Sequence, residues 1–278
     1  MHAYNSESPR PRAGLKDRPL YRVFPAHLFP ALFAIGALSL SFACERLKQP
    51  PRPENVPEGA IRNRDVNLWM HRGQDNSFRT YYASGRLAQS GQMLPGTNAR
   101  TGTWQSYASD GERVTANGDY LNDWRDGLWR YFDDTEQLYL TVEYRPEPKR
   151  FFGFLTVTDY GNENGPFERY FPDGTLEERG VFWSGYYHGP IVRYHRNGKK
   201  AFEGRYETDN PVGLWKFYYP EGNLEREETY RNGKLHGVLR NYYSDGQLYH
   251  ESVFEDGQEV GPKRIYPRIP ADAGRDGG

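Results

Sequence analysis

The side chains best suited to move protons or hold a metal are the seven histidines, His2, His27, His71, His188, His195, His236 and His250. No pair shows the H-E-x-x-H spacing that puts two imidazoles on one helix face toward a single zinc. His188 and His236 lie 48 residues apart, each directly before a glycine, and read as polar residues at turns. The single cysteine, Cys44, allows neither an intrachain disulfide nor a cysteine-based zinc site. There is no G-x-S-x-G nucleophile elbow and no glycine loop of the phosphate-cradling kind. Asp133-Asp134-Thr135-Glu136 is an acidic cluster that could hold Ca²⁺ weakly or simply be a solvated turn; it lacks the EF-hand spacing. Other carboxylates are scattered too evenly to single out an acid–base pair. The expectation is a protein without catalytic residues, metal or cofactor.

With 22 Tyr, 15 Phe and 6 Trp but only 36% hydrophobic residues in 278, there is little Leu, Ile and Val for a thick interior. Large rings with polar tips suit a thin β structure, and 30 Gly and 20 Pro favour turns over long helices. A net charge of −1 gives no electrostatic reason to expect nucleic acid as a partner.

The dominant signal is a repeat. Gly165, Gly189, Gly213, Gly237 and Gly261 are each 24 residues apart, as are Tyr170, Tyr194, Tyr218, Tyr242 and Tyr266. Gly174, Gly198, Gly222 and Gly246 keep the same spacing, and so do Phe182, Tyr206, Tyr230 and Phe254. Upstream, Gly102, Trp104, Tyr107, Gly111 and Tyr120 make one unit, and Gly127, Trp129, Phe132 and Tyr144 another; Phe78, Tyr81, Gly85 and Leu87 begin the series. Sequences such as Pro172-Asp173-Gly174 and Ser244-Asp245-Gly246 are hairpin turns whose glycine supplies positive φ. Gly185, Gly233 and Gly257 close the connection to the next unit. A lone hairpin cannot bury its rings, so neighbours must stack.

These columns resemble the MORN repeat, and more closely its bacterial variant, found in proteins often labelled antitoxin-like. The resemblance covers residues 76–266 and implies an all-β fold, an elongated single-sheet antiparallel hairpin solenoid of about eight units of ~24 residues. The Trp column at Trp104, Trp129, Phe167 and Trp215 lapses to Ile191, Leu239 and Lys263, and Glu136 stands where a turn glycine is expected. The unit from Gly127 to Gly165 carries an insertion at 145–164, whose Phe151, Phe152, Phe154, Leu155 and Tyr160 mark it either as an extra hairpin in the sheet or as a partner-binding loop. Residues 267–278 read as a disordered tail.

Before the repeats, residues 1–27 are rich in Arg and Lys, Leu28 to Ala43 are apolar, and Cys44 follows. Basic leader, apolar run, small residue and cysteine resemble a bacterial lipoprotein signal peptide, which implies removal of 1–43 and lipidation of Cys44. A plain secretory signal, an uncleaved anchor or a buried segment are the alternatives. Residues 44–75, with Pro50, Pro51, Pro53 and Pro57, read as a tether. The expected location is the bacterial cell envelope, facing the periplasm or exterior.

Columns of charge add register. Glu203, Glu227 and Glu251 each precede a cation, Lys216, Arg240 and Arg264, by 13 residues, so cross-strand pairs Glu203–Lys216, Glu227–Arg240 and Glu251–Arg264 are expected on the solvated face. The function expected is a protein-interaction scaffold, with an immunity or antitoxin-like role as one form of it. A cell-wall or carbohydrate binder is the alternative, because the aromatic spacing is similar to choline-binding repeats; a structural spacer or self-assembling component is another. The carbohydrate reading needs Trp104, Trp129 and Trp215 exposed.

Overall fold

The structure, a computed structural model, describes residues 51–145, 149–151, 154–156 and 163–269. Every regular element among them is a strand. Cys44, Phe152 and Tyr160 lie outside the described residues, as does the signal segment.

The chain divides into two compact units. The first holds β1 (Ile61–Asn63), β2 (Leu68–Arg72), β3 (Ser77–Tyr81), β4 (Leu87–Met93), β5 (Arg100–Tyr107), β6 (Val114–Leu121) and β7 (Trp124–Phe132). Each pairs antiparallel with the next. Residues 51–75 are therefore not a spacer. β1 and β2 extend the hairpin series, and Val56 packs with Trp69 and Tyr81 as a small buried cluster. The prolines instead shape a turn, in which Val56 N–H donates to the Pro53 carbonyl at 3.0 Å.

The second unit begins with β8 (Leu138–Tyr144). In sequence, β9 (Lys149–Phe151) and β10 (Phe154–Thr156) come next and pair with each other, Phe151 opposite Phe154. The second unit resumes with β11 (Gly165–Tyr170), β12 (Leu176–Trp183), β13 (Tyr186–Tyr187), β14 (Gly189–Tyr194), β15 (Lys200–Glu207) and β16 (Asn210–Tyr218). It ends with β17 (Leu224–Arg231), β18 (Lys234–Leu235), β19 (Gly237–Tyr242), β20 (Leu248–Glu255) and β21 (Gln258–Ile265). β8 pairs directly with β11, Phe167 opposite Val142. The insertion does form a hairpin, but the sheet passes from β8 to β11 without it. Residues 267–269 are also ordered by contacts: Arg268 Nε lies 2.8 Å from Asp245 Oδ2, and Ile269 N–H donates to Gln247 at 2.8 Å.

Turn chemistry explains the strand ends. At most tips a glycine in the left-handed region closes a three-residue loop, as in Phe171–Thr175, where Phe171 N–H donates to the Thr175 carbonyl at 2.8 Å and Gly174 has φ 81°. Glu136 takes the same conformation, φ 63°, without being glycine. Most connections between successive repeats are two-residue turns with both φ positive, such as Asn232-Gly233 and Thr208-Asp209.

Candidate interaction surface

Strand alternation gives each hairpin two faces. One carries the rings. In the second unit the series Phe167, Phe182, Tyr187, Tyr206, Trp215 and Tyr230 runs strand to strand, with neighbouring centroids 4.2 to 6.2 Å apart. The first unit repeats this with Trp104, Tyr120 and Trp129 in edge contacts at 5.8 and 5.1 Å. Trp104, Trp129 and Trp215 retain only 4%, 3% and 1% of their surface. A ladder of exposed indoles for gripping sugars is thus not what these residues build.

What lets a single sheet bury a tryptophan so fully is a set of mid-strand glycines. A Cβ added to Gly91, Gly118 or Gly204 would come within 2.3, 2.4 and 2.2 Å of the Trp104, Trp129 and Trp215 rings. Each indole lies flat over the bare backbone of the strand before it. Its strand buckles to reach there: Val212 and Lys216 oppose Arg205 and Glu203, so three residues face Gly204 alone. The glycine that opens the buckle has φ 61°, 63° and 69° at Gly102, Gly127 and Gly213. At Gly165, Gly189 and Gly237 φ is 127°, 97° and 101°, and there the Trp column holds Phe167, Ile191 and Leu239. The floors differ accordingly. Val142 faces Phe167, Gly180 is already covered by the Phe167 ring at 2.8 Å, and Glu228 faces Trp215 from the far side. These floor glycines had a legible signal: Gly118, Gly180 and Gly204 each stand two residues before a ring of the Phe/Tyr column.

Charges on this face are paired beneath the rings. Arg169 reaches Glu178 at 3.2 Å, and the Tyr187 hydroxyl donates to Glu178 at 3.0 Å. Burial, followed by the Glu178 charge, pushes the Tyr187 phenol up to about 12. Arg226 lies 2.7 Å from Glu228 and 4.2 Å over the Phe217 ring, while the Tyr230 hydroxyl donates to Glu228 at 2.6 Å. Both arrangements set an ion pair against aromatic surface, the Glu178 carboxylate also accepting from Tyr187 and the Glu228 carboxylate from Tyr230.

The opposite face is organised in three rows. A tyrosine row runs along the hairpin-tip side, where Tyr218 donates to Glu203 at 2.6 Å and Tyr242 to Glu227 at 3.0 Å. The middle row is charged. Glu203, Lys216, Glu227, Arg240, Glu251 and Arg264 stand opposite one another on successive strands. The three expected pairs are all in register, but the contacts run differently. Glu251–Arg264 closes at 3.4 Å, whereas Arg240 reaches Glu251 at 2.9 Å and Lys216 reaches Glu227 at 3.8 Å. Glu203 is held by Lys200 at 2.7 Å, and this ammonium, with the Tyr218 hydroxyl, keeps its carboxyl below the usual range. Lys216, Glu227, Arg240 and Glu251 each have an opposite charge on both neighbouring strands, so the fold does not depend on one set of partners. The third row is apolar: Leu214, Thr229, Val238, Val253 and Val260 follow across β16 to β21. Leu214 and Val253 remain 50% and 40% exposed.

Along the hairpin tips, side chains stitch one turn to the next. Tyr82, Tyr219 and His195 donate to the carbonyls of Tyr107, Tyr242 and Tyr218 at 2.7, 2.8 and 2.9 Å. The acidic cluster at 133–136 is one of these turns. The Asp133 carboxylate accepts from Thr135 Oγ1 at 2.7 Å and from Thr135 and Gln137 N–H, which lowers its pKa, the Thr135 hydroxyl foremost. His188 and His236 donate their backbone N–H to Val181 and Thr229 at the strand breaks, the turn role their spacing suggested.

The geometry defines a class: antiparallel hairpins of about 24 residues, packed ring over glycine. Residues 211–232 and 235–256 match the model of the MORN repeat variant, so the chain carries repeats of this kind there. No curated protein matches the chain.

Proposed function

We propose that the protein is a non-enzymatic, exported scaffold, tethered to the membrane of the cell envelope and binding other proteins through its sheet. Repeats of this kind generally serve protein and membrane interaction. The observation that carries the reading is the division of the two faces. Rings and buried ion pairs fill one face, while the other keeps tyrosine, charge and apolar rows in regular reach of solvent. Tethering rests on the sequence of residues 1–44 and on Cys44 as the lipid site.

Partner capture from membrane extracts tests it, comparing the full chain with Leu214→Asp and with a chain lacking residues 145–164. Loss with Leu214→Asp places binding on the outer face. Loss only on removing the insertion moves it to Phe151, Phe152, Phe154 and Tyr160, and no specific partner in any arm sinks the scaffold reading. Mass spectrometry of the mature N-terminus tests the lipid on Cys44, which an intact 1–43 segment would rule out.

A further inference from the structure

We propose that the outer face of β15 to β21 docks against the same face of a second copy, related by a two-fold axis parallel to the strands. This rests on the scaffold reading only in using the same surface. The argument starts from the order of charges, − + − + − + for Glu203, Lys216, Glu227, Arg240, Glu251 and Arg264.

A two-fold axis parallel to the strands, passing between β17 and β19, reverses strand order while laying each row on itself. It sets Glu203 over the partner copy's Arg264 position, Lys216 over the Glu251 position and Glu227 over the Arg240 position. Every contact is between opposite charges. Keeping the strand order instead, or slipping by one strand, sets like over like, which costs several kcal/mol in a desolvated interface. An alternating row of even length therefore selects both direction and register. The apolar row follows under the same operation, with Leu214 meeting Val253 and Thr229 meeting Val238. Leu214 and Val253 are the members of the row that the fold leaves exposed, at 50% and 40%.

The alternative contact, strand to strand at the β21 edge, is discouraged. That edge carries Pro262, Lys263 and Arg264 and is followed by Pro267. Proline removes a ladder donor, and charged side chains resist pairing with a second edge. Six strands at about 4.8 Å spacing and some six residues of about 3.3 Å give a patch of about 29 by 20 Å. That is near 600 Å² per copy and about 1,200 Å² in all, the lower bound of specific interfaces, so the association expected is reversible.

Sedimentation of the purified full-length chain is the first test. A concentration-dependent dimer that weakens at high salt is expected, and Leu214→Asp should raise its Kd at least tenfold. The second test joins Leu214→Cys with Val253→Cys in a Cys44→Ser background. Within one chain these positions are separated by three strand spacings, about 14 Å, beyond disulfide reach. Oxidation should give a covalent dimer with the pair and none with Val253→Cys alone. A monomer at up to about 1 mM overturns the proposal, as does a dimer indifferent to Leu214→Asp or one that fails to cross-link. If the chain stays monomeric yet loses partner capture with Leu214→Asp, the face belongs to a different protein and the scaffold reading stands. A cross-linked dimer that captures nothing has the opposite meaning.

Discussion

At Gly204 the absence of a side chain does more structural work than most side chains present. The Trp215 ring occupies the volume a Cβ would need, at 2.2 Å. Gly204→Ala must push an indole that is 1% exposed out of its seat, and a cost of about 2–4 kcal/mol is expected in urea unfolding. Gly213→Ala is the contrast. It meets nothing within 4 Å but sits at φ 69°, so only the left-handed penalty of about 1–2 kcal/mol applies. Equal losses at the two sites would show that the ring does not rest on the backbone. Tyr187 supplies a second test at this scale. Its phenol rises from 10 to about 12 on folding, so the folded state holds its proton where the unfolded state has released it. The stability this provides is complete below pH 10 and is lost as pH climbs through 12, on the order of 2 kcal/mol. Between pH 10 and 12, Tyr187→Phe should therefore lose less stability than the parent, read as the change in denaturant midpoint.

The hairpin is the scale at which the sequence was most readable. Pro-Asp-Gly and Asn-Gly tips fixed where strands turn, and the 13-residue offset between Glu and cation columns fixed which residues face each other. The offset did not fix which neighbour each cation touches, because a middle strand offers two, and long side chains choose by local rotamer. The floor glycines Gly118, Gly180 and Gly204 are legible by position, two residues before a ring of the Phe/Tyr column, but that spacing does not name the ring that covers them. A glycine inside a strand reads as weakness unless the ring above it is known. Residues 51–75 read as a spacer because four nearby prolines mask the pattern of Val56 and Trp69. Where a tip departs from its consensus, the cost should be recoverable. Glu136 holds φ 63°, and Glu136→Gly is expected to stabilise by about 0.5–1 kcal/mol, since relief of left-handed strain exceeds the entropy glycine adds to the unfolded chain. A fall in melting temperature would contradict this.

Within each compact unit, successive hairpins pair strand to strand, so stability should accumulate hairpin by hairpin. Ending the chain after Tyr243 removes β20 and β21. The remaining hairpins should keep their β circular dichroism with a lowered unfolding midpoint. Complete loss of structure would show instead that the last hairpin nucleates the rest. The same logic bears on ancestry. Because an indole rests on the strand before its own, no hairpin is a self-contained module. A recombination that brought Trp215 behind Glu228 or Val142 in place of Gly204 would join two intact turns and still misfold at the seam. Copy number in such an array can change only at junctions where a small residue meets a large ring, and insertions elsewhere must loop out, as the one between β8 and β11 does.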